Sequence, residues 1–139
     1  MDNTALLQPV IILVIWSLIV WVWLYATRLP AMRAAGIQPQ EARHKGALDR
    51  LPSSARQVVE NYNHLMEQPT IFYAAALAAA LAGAVTPVTV GAAWAYVGLR
   101  VVHSLIQNTV NIVVLRFLVF SLSTLALAVL AVSTMRELF

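Results

Sequence analysis

Residues 6–26 read LLQPVIILVIWSLIVWVWLYA, and the fold class follows from them. It holds no charged side chain and matches the roughly 20 apolar residues that carry a helix across a hydrocarbon core. Trp16, Trp21, Trp23 and Tyr25 are aromatic groups of the kind that anchor a span at the interface. The stretch is too long for a removable signal peptide and lacks a basic leader and a small-residue cleavage site, so it reads as a membrane span. Composition agrees, with 60% of residues hydrophobic and 11% charged, where soluble domains run near a quarter charged. The length fits one domain, residues 1–139. With no cysteine in the chain, disulfides, a thiolate nucleophile and Cys-based metal sites are excluded, and any thiol chemistry has to arrive with a bound molecule.

Working outward, six of the nine Lys and Arg residues (Arg28, Arg33, Arg43, Lys45, Arg50 and Arg56) fall between positions 28 and 56. Glu41 and Asp49 interrupt them, so the segment is too mixed for a nucleic-acid arm. A basic loop over 27–53 between apolar stretches reads as cytoplasmic. Three further spans are expected, at about 54–85, with Ser53 or Ser54 as a helix cap, and at 88–108 and 112–135, with tight turns at GAVTPVT and QNTVN. The expected fold class is an all-α membrane protein, a four-transmembrane-helix bundle. Both termini then face outward, and the protein is expected to be integral to a membrane.

Polarity gathers at the inner ends of the last three spans. Arg56, Glu60, Asn63, His64 and Glu67 fall within an arc of about 100° on a helix. Arg100, His103, Ser104 and Gln107 share a face of the third span, and Asn111 and Arg116 open the fourth. Glu67 lies about 16 Å along the axis from Arg56 at the helical rise per residue, and Arg100 lies comparably deep. An ion pair between them is the simplest way to hold both charges in lipid. One pair would suffice to set helix register. The gathering of Asn61, His64, His103, Gln107 and Arg116 at the same level reads instead as a polar cavity, and Arg28, Arg100 and Arg116 favour an anionic ligand. His44 reads as a solvated loop residue, and AAALAAALAGA (74–84) as a small-residue packing face. His64, His103 and Glu67 lack the spacing of a metal motif, so no metal is expected.

The segments NYNHLMEQPTIFY (61–73) and YVGLRVVHSLIQNTVNIVVLRF (96–117) resemble the MAPEG family, the membrane-associated proteins in eicosanoid and glutathione metabolism, in a bacterial-type form. The resemblance covers the second, third and fourth spans in order. It implies a homotrimer that binds glutathione between protomers near the cytoplasmic side and acts as a transferase or peroxidase on lipophilic electrophiles. By resemblance Arg116 is the catalytic residue that stabilises the glutathione thiolate. Arg28, Asn61, His64, Glu67, Arg100, His103 and Gln107 would be the cofactor-binding set, with Glu67 contacting the cofactor or orienting an arginine. Glu60 stands where the better-known glutathione enzymes carry an arginine, Gln107 where they carry a tyrosine, and His64 where many carry an asparagine. The partners implied are further copies of the chain, membrane lipid and a lipophilic small molecule.

Two other readings stay open on the residues. One is a non-catalytic lipid-binding or partner-presenting protein on the same fold. The other is a small transporter using Glu67 for proton coupling, although four-span exporters carry such a glutamate in the first helix, where this chain has none.

Overall fold

A computed structural model describes residues 2–139, which form helices joined by short turns, with no strand among them. Helix α1 (Thr4–Ala34) continues well past Ala26, the expected end of the first span. Its 31 residues reach about 46 Å, longer than a hydrocarbon core about 30 Å thick, so one end stands clear of it. A 3-10 turn (Pro39–Arg43) and the short α2 (Lys45–Leu48) follow. Met32, Ile37, Leu51 and Ala55 form a small apolar cluster that pins this loop against the ends of α1 and the next helix. Ile37 N–H donates to Met32 O (3.0 Å), and the exposed Arg50–Glu41 pair (3.2 Å) ties the loop to itself.

The segment 54–85, read as one span, is two helices: α3 (Ser53–Met66) and α4 (Pro69–Leu81). The first opens at Ser53 behind Pro52, and neither Ser53 nor Ser54 acts as a side-chain cap. The break falls at Glu67, whose φ of −91° and ψ of −97° leave the helical region. Pro69 accounts for it physically. Proline has no N–H to continue the ladder of α3, yet its fixed φ suits the first turn of a new helix. Thr70 closes the gap, its hydroxyl and its N–H both donating to Glu67 O at 2.7 and 3.2 Å. Among the described residues three helices are long and apolar enough to cross a membrane: α1, α5 (Pro87–Asn108) and α6 (Val113–Leu138).

The turn after α4 uses Gly83 at φ +71°, a left-handed position that lets Ala84 N–H reach back to Ala79 O at 2.9 Å. Thr86 and Thr89 then form a capping box, with Pro87 at the first position of α5. The α5–α6 turn uses Asn111 at φ +50°, its N–H donating to Ile106 O at 2.7 Å.

Helix α5 is central and packs against α6, α1 and α3, while α4 lies against α1 and α6. Small residues (Ala76, Ala79, Ala80, Ala92, Ala93) let the backbones approach, and Phe72 stacks on Tyr96 at 4.5 Å between ring centroids. The outward faces are apolar, as at Ile11, Leu18 and Val22 of α1 and Val114, Phe117 and Leu125 of α6. Leucine gains nothing by leaving lipid for a protein interior, so the packing energy here comes from close contact and internal hydrogen bonds.

Candidate functional site

Gln57 Nε2 donates to Thr109 O (3.3 Å), which places the start of α3 beside the α5–α6 turn at the basic-loop end of the molecule. Polar groups meet just below this junction. Asn61, wholly buried, accepts from Ser104 Oγ (2.9 Å) and donates to Asn108 Oδ1 (3.0 Å), so its amide is spent on cross-linking α3 to α5. Gln107 is buried on the same face of α5. Asn61 belongs to the buried stripe Ala55, Val58, Asn61 and Leu65. The arc Arg56, Glu60, Asn63, His64 and Glu67 points the other way, its members exposed or, for His64, half-buried.

Arg100 is the largest fully buried side chain, at 0% exposure. The expected Glu67–Arg100 ion pair is not formed. The break at Glu67 turns that carboxylate outward, where its side chain is 68% exposed, and Oε2 lies 3.7 Å from His64 Nδ1. Arg100 Nη2 instead donates to His64 O (3.2 Å), a carbonyl in the last turn of α3. Its guanidinium carbon sits 5.6 Å from the centroid of the Phe120 ring, a cation–π contact. Arg100 Nε and Nη1 have no hydrogen-bond partner, and neither do His103 Nδ1, Gln107 Oε1 and Arg116 Nε. A buried guanidinium held by one carbonyl and one ring is under-compensated by the ordinary rules for interior charge.

Beside this group opens a cleft of about 210 Å³ lined by His64, His103, Val113, Arg116, Phe117 and Phe120. The His64 and His103 rings meet edge to face at 5.9 Å, and His103 also faces Phe120 at 6.1 Å. Its far wall is the exposed, apolar side of α6. The cleft therefore joins cationic and imidazole groups to a membrane-facing wall. It suits a molecule with one anionic or acidic polar end and an apolar reaction partner.

Of the residues singled out from sequence, the fold brings His64, His103 and Arg116 into this cleft, with Arg100 directly behind. Glu67 reaches it only through His64. Asn61 lies in the α3–α5 interface, Gln107 is buried on α5, and Arg28 lines a different cavity of about 380 Å³ with Lys45, Arg56, Glu60 and Asn63. Two contributors went unread. Gln68, at the helix break, donates to Thr124 Oγ1 (3.0 Å) and accepts from Tyr96 (3.3 Å), which holds the break against α5 and α6. Asn108 completes the Asn61 link. An amide wedged between Glu67 and Pro69 in an apolar run was the available signal for Gln68.

Apolar outer faces, long apolar helices and a polar interior make this an all-helical integral membrane protein. Within that class, the model of the MAPEG family matches residues 6–136, and the chain belongs to that family. No curated protein and no solved structure matches it.

Proposed function

We propose that this protein is a glutathione-dependent transferase or peroxidase of the membrane, acting on lipophilic electrophiles at the cleft between α3, α5 and α6. The observation that carries the reading is the unpartnered buried cation group. Arg100 Nε and Nη1, His103 Nδ1 and Arg116 Nε all lack acceptors inside the chain, and a sulfur anion is a ligand they would satisfy. Bound there, glutathione would supply the nucleophilic sulfur that this cysteine-free chain lacks. Arg116 would hold the sulfur in its reactive anionic form, because a neighbouring cation favours thiolate over thiol. Val113, Phe117 and Phe120 would receive the apolar substrate from the bilayer and exclude water.

The same proposal includes assembly. The charged arc of α3 points away from this chain's own core, and lipid would not tolerate those charges. A four-transmembrane-helix bundle, with α3 and α4 together making the second crossing, assembled as a homotrimer, covers the arc with neighbouring copies. It also explains why Arg28 lies in a separate cavity, since a ligand between protomers can take Arg28 from one copy and Arg116 from another. The basic loop is assigned to the cytoplasmic side of a bacterial inner membrane, with both termini outside.

A second reading has support from the cleft walls, half of which (Val113, Phe117 and Phe120) are apolar and open onto the lipid-facing side of α6. It makes the protein a non-catalytic lipid binder. Calorimetry with glutathione on the detergent-purified protein separates the two. The enzyme reading expects binding, with Arg116→Ala lowering turnover of a model electrophile more than it lowers affinity. No heat of binding at millimolar glutathione would overturn it. The mass of the protein in detergent tests the trimer, and a monomer or dimer would overturn that part.

A further inference from the structure

We propose that Glu67 and His64 form a carboxylate–imidazole dyad that takes the proton from the thiol in this cleft, with His64 Nε2 as the general base. The inference rests on the glutathione reading above and names the proton acceptor which that reading leaves unassigned. Its first observation is the helix break. Glu67 is the residue at which α3 leaves helical geometry, three positions past His64, and its carboxylate lies within 3.7 Å of His64 Nδ1. That separation is longer than a formed hydrogen bond. Such contacts are commonly loose before the ligand arrives.

The second observation is the placement of the ring. Its Nδ1 edge is turned toward Glu67, while the ring also lines the cleft with Arg116 and His103. The backbone of His64 is held independently, its carbonyl accepting from Arg100 Nη2 at 3.2 Å. An acid on one imidazole nitrogen fixes the tautomer with the proton on Nδ1 and leaves the Nε2 lone pair for the substrate. His103 is the other imidazole in the cleft, but Arg100 and Arg116 lie on its side and no acceptor meets its Nδ1. The ionisable groups around the His64 ring are Glu67 beyond the end of α3, Arg100 and His103 from α5, and Arg116 from α6. Glu67 is the acid in contact with the ring, while Glu60 stands one turn earlier on the same face of α3, and Glu67 offsets the positive charge that His64 acquires on taking a proton.

The step balances without a further reactant. His64 Nε2 accepts the thiol proton as the S–H bond breaks, and the electron pair stays on sulfur beside Arg116. With a lipophilic epoxide, for example, the C–S bond forms as the ring C–O bond breaks. The alkoxide oxygen then recovers the proton from Nε2. The role of Glu67 is positioning, because it acts through His64 and not on the thiol.

The test compares the wild type with His64→Ala, His64→Gln and Glu67→Gln in detergent, each with glutathione and without electrophile. Thiolate absorbance is titrated against pH and affinity is measured by calorimetry. The affinity of each variant sets the glutathione concentration at which titration and turnover are compared, so that every form is saturated. The thiolate titration of both His64 variants should move to higher pH, and turnover near neutrality should fall about 100-fold, the usual scale for a general base. Added imidazole should restore part of the His64→Ala rate and none of the Glu67→Gln loss, a rescue that a structural histidine would not give. Unchanged thiolate titration and turnover in His64→Gln, with glutathione bound normally, would overturn the dyad alone. Absence of glutathione binding in the wild type would overturn the underlying function and the dyad with it.

Discussion

Replacing Asn61 with alanine separates a structural role from a ligand-binding one. Asn61 is wholly buried and makes two side-chain hydrogen bonds, one from Ser104 Oγ at 2.9 Å and one to Asn108 Oδ1 at 3.0 Å. Truncation removes both and leaves a hydroxyl and a carbonyl oxygen stranded between α3 and α5. In soluble proteins each stranded group costs about 1–3 kcal/mol. Interhelical hydrogen bonds in membranes are weaker, about 0.6 kcal/mol on average and about 1.7 at most, because the unfolded chain in lipid also finds partners. The buried position favours the upper part of the membrane range for both bonds, so the expected destabilisation is about 2–3 kcal/mol. Unfolding by sodium dodecyl sulfate from a mild detergent, followed by circular dichroism, reads this as a lower midpoint. Glutathione affinity per folded molecule should stay unchanged, since the amide faces α5. An unchanged midpoint together with lost glutathione binding would refute the reasoning and return Asn61 to the ligand set that the family resemblance implied.

Arg100→Met should leave the fold as stable as the wild type or more so, by up to about 1–4 kcal/mol, because it replaces a buried cation lacking an ion-pair partner with an apolar chain of similar reach. The same variant should weaken glutathione binding at least tenfold in calorimetry. Gly83→Ala should cost about 1–2 kcal/mol in the same unfolding assay. A Cβ there meets no neighbour, but φ of +71° strains any L side chain. Gly83→Asn should recover part of that loss, since asparagine tolerates the left-handed region.

Much of this molecule was legible in one dimension. The long apolar stretches placed α1, α5 and α6 to within a few residues at most ends, because a helix in lipid must satisfy its backbone internally and little else can form. Helix α1 runs on past the expected span to Ala34, since polar residues after Ala26 end a hydrophobic pattern without ending a helix. Ser53 and Ser54 read as caps, yet Pro52 already sets the extended turn that starts α3. His64, His103 and Arg116 were picked out by shared depth and do line one cleft.

Hydropathy and local motif are properties of neighbouring residues, and they were enough for the membrane class, the polar end of each helix and the family. Pro69 stands in the middle of the segment expected as one span, and the boundary it makes between α3 and α4 shows only in the structure. The rotation of α3 came from packing in three dimensions. Helical periodicity gives the angle between Asn61 and His64 but not which of them faces α5, and in lipid both a polar stripe and an apolar one can turn inward. Packing settled it through the small stripe of Ala55 and Val58, which takes Asn61 inward to Ser104 and leaves His64 at the cleft. Helical spacing already set Glu67 three residues from His64 on one face, but that Arg100 is left without Glu67 and bonds the His64 carbonyl instead is decided by the packing of α5 against the end of α3.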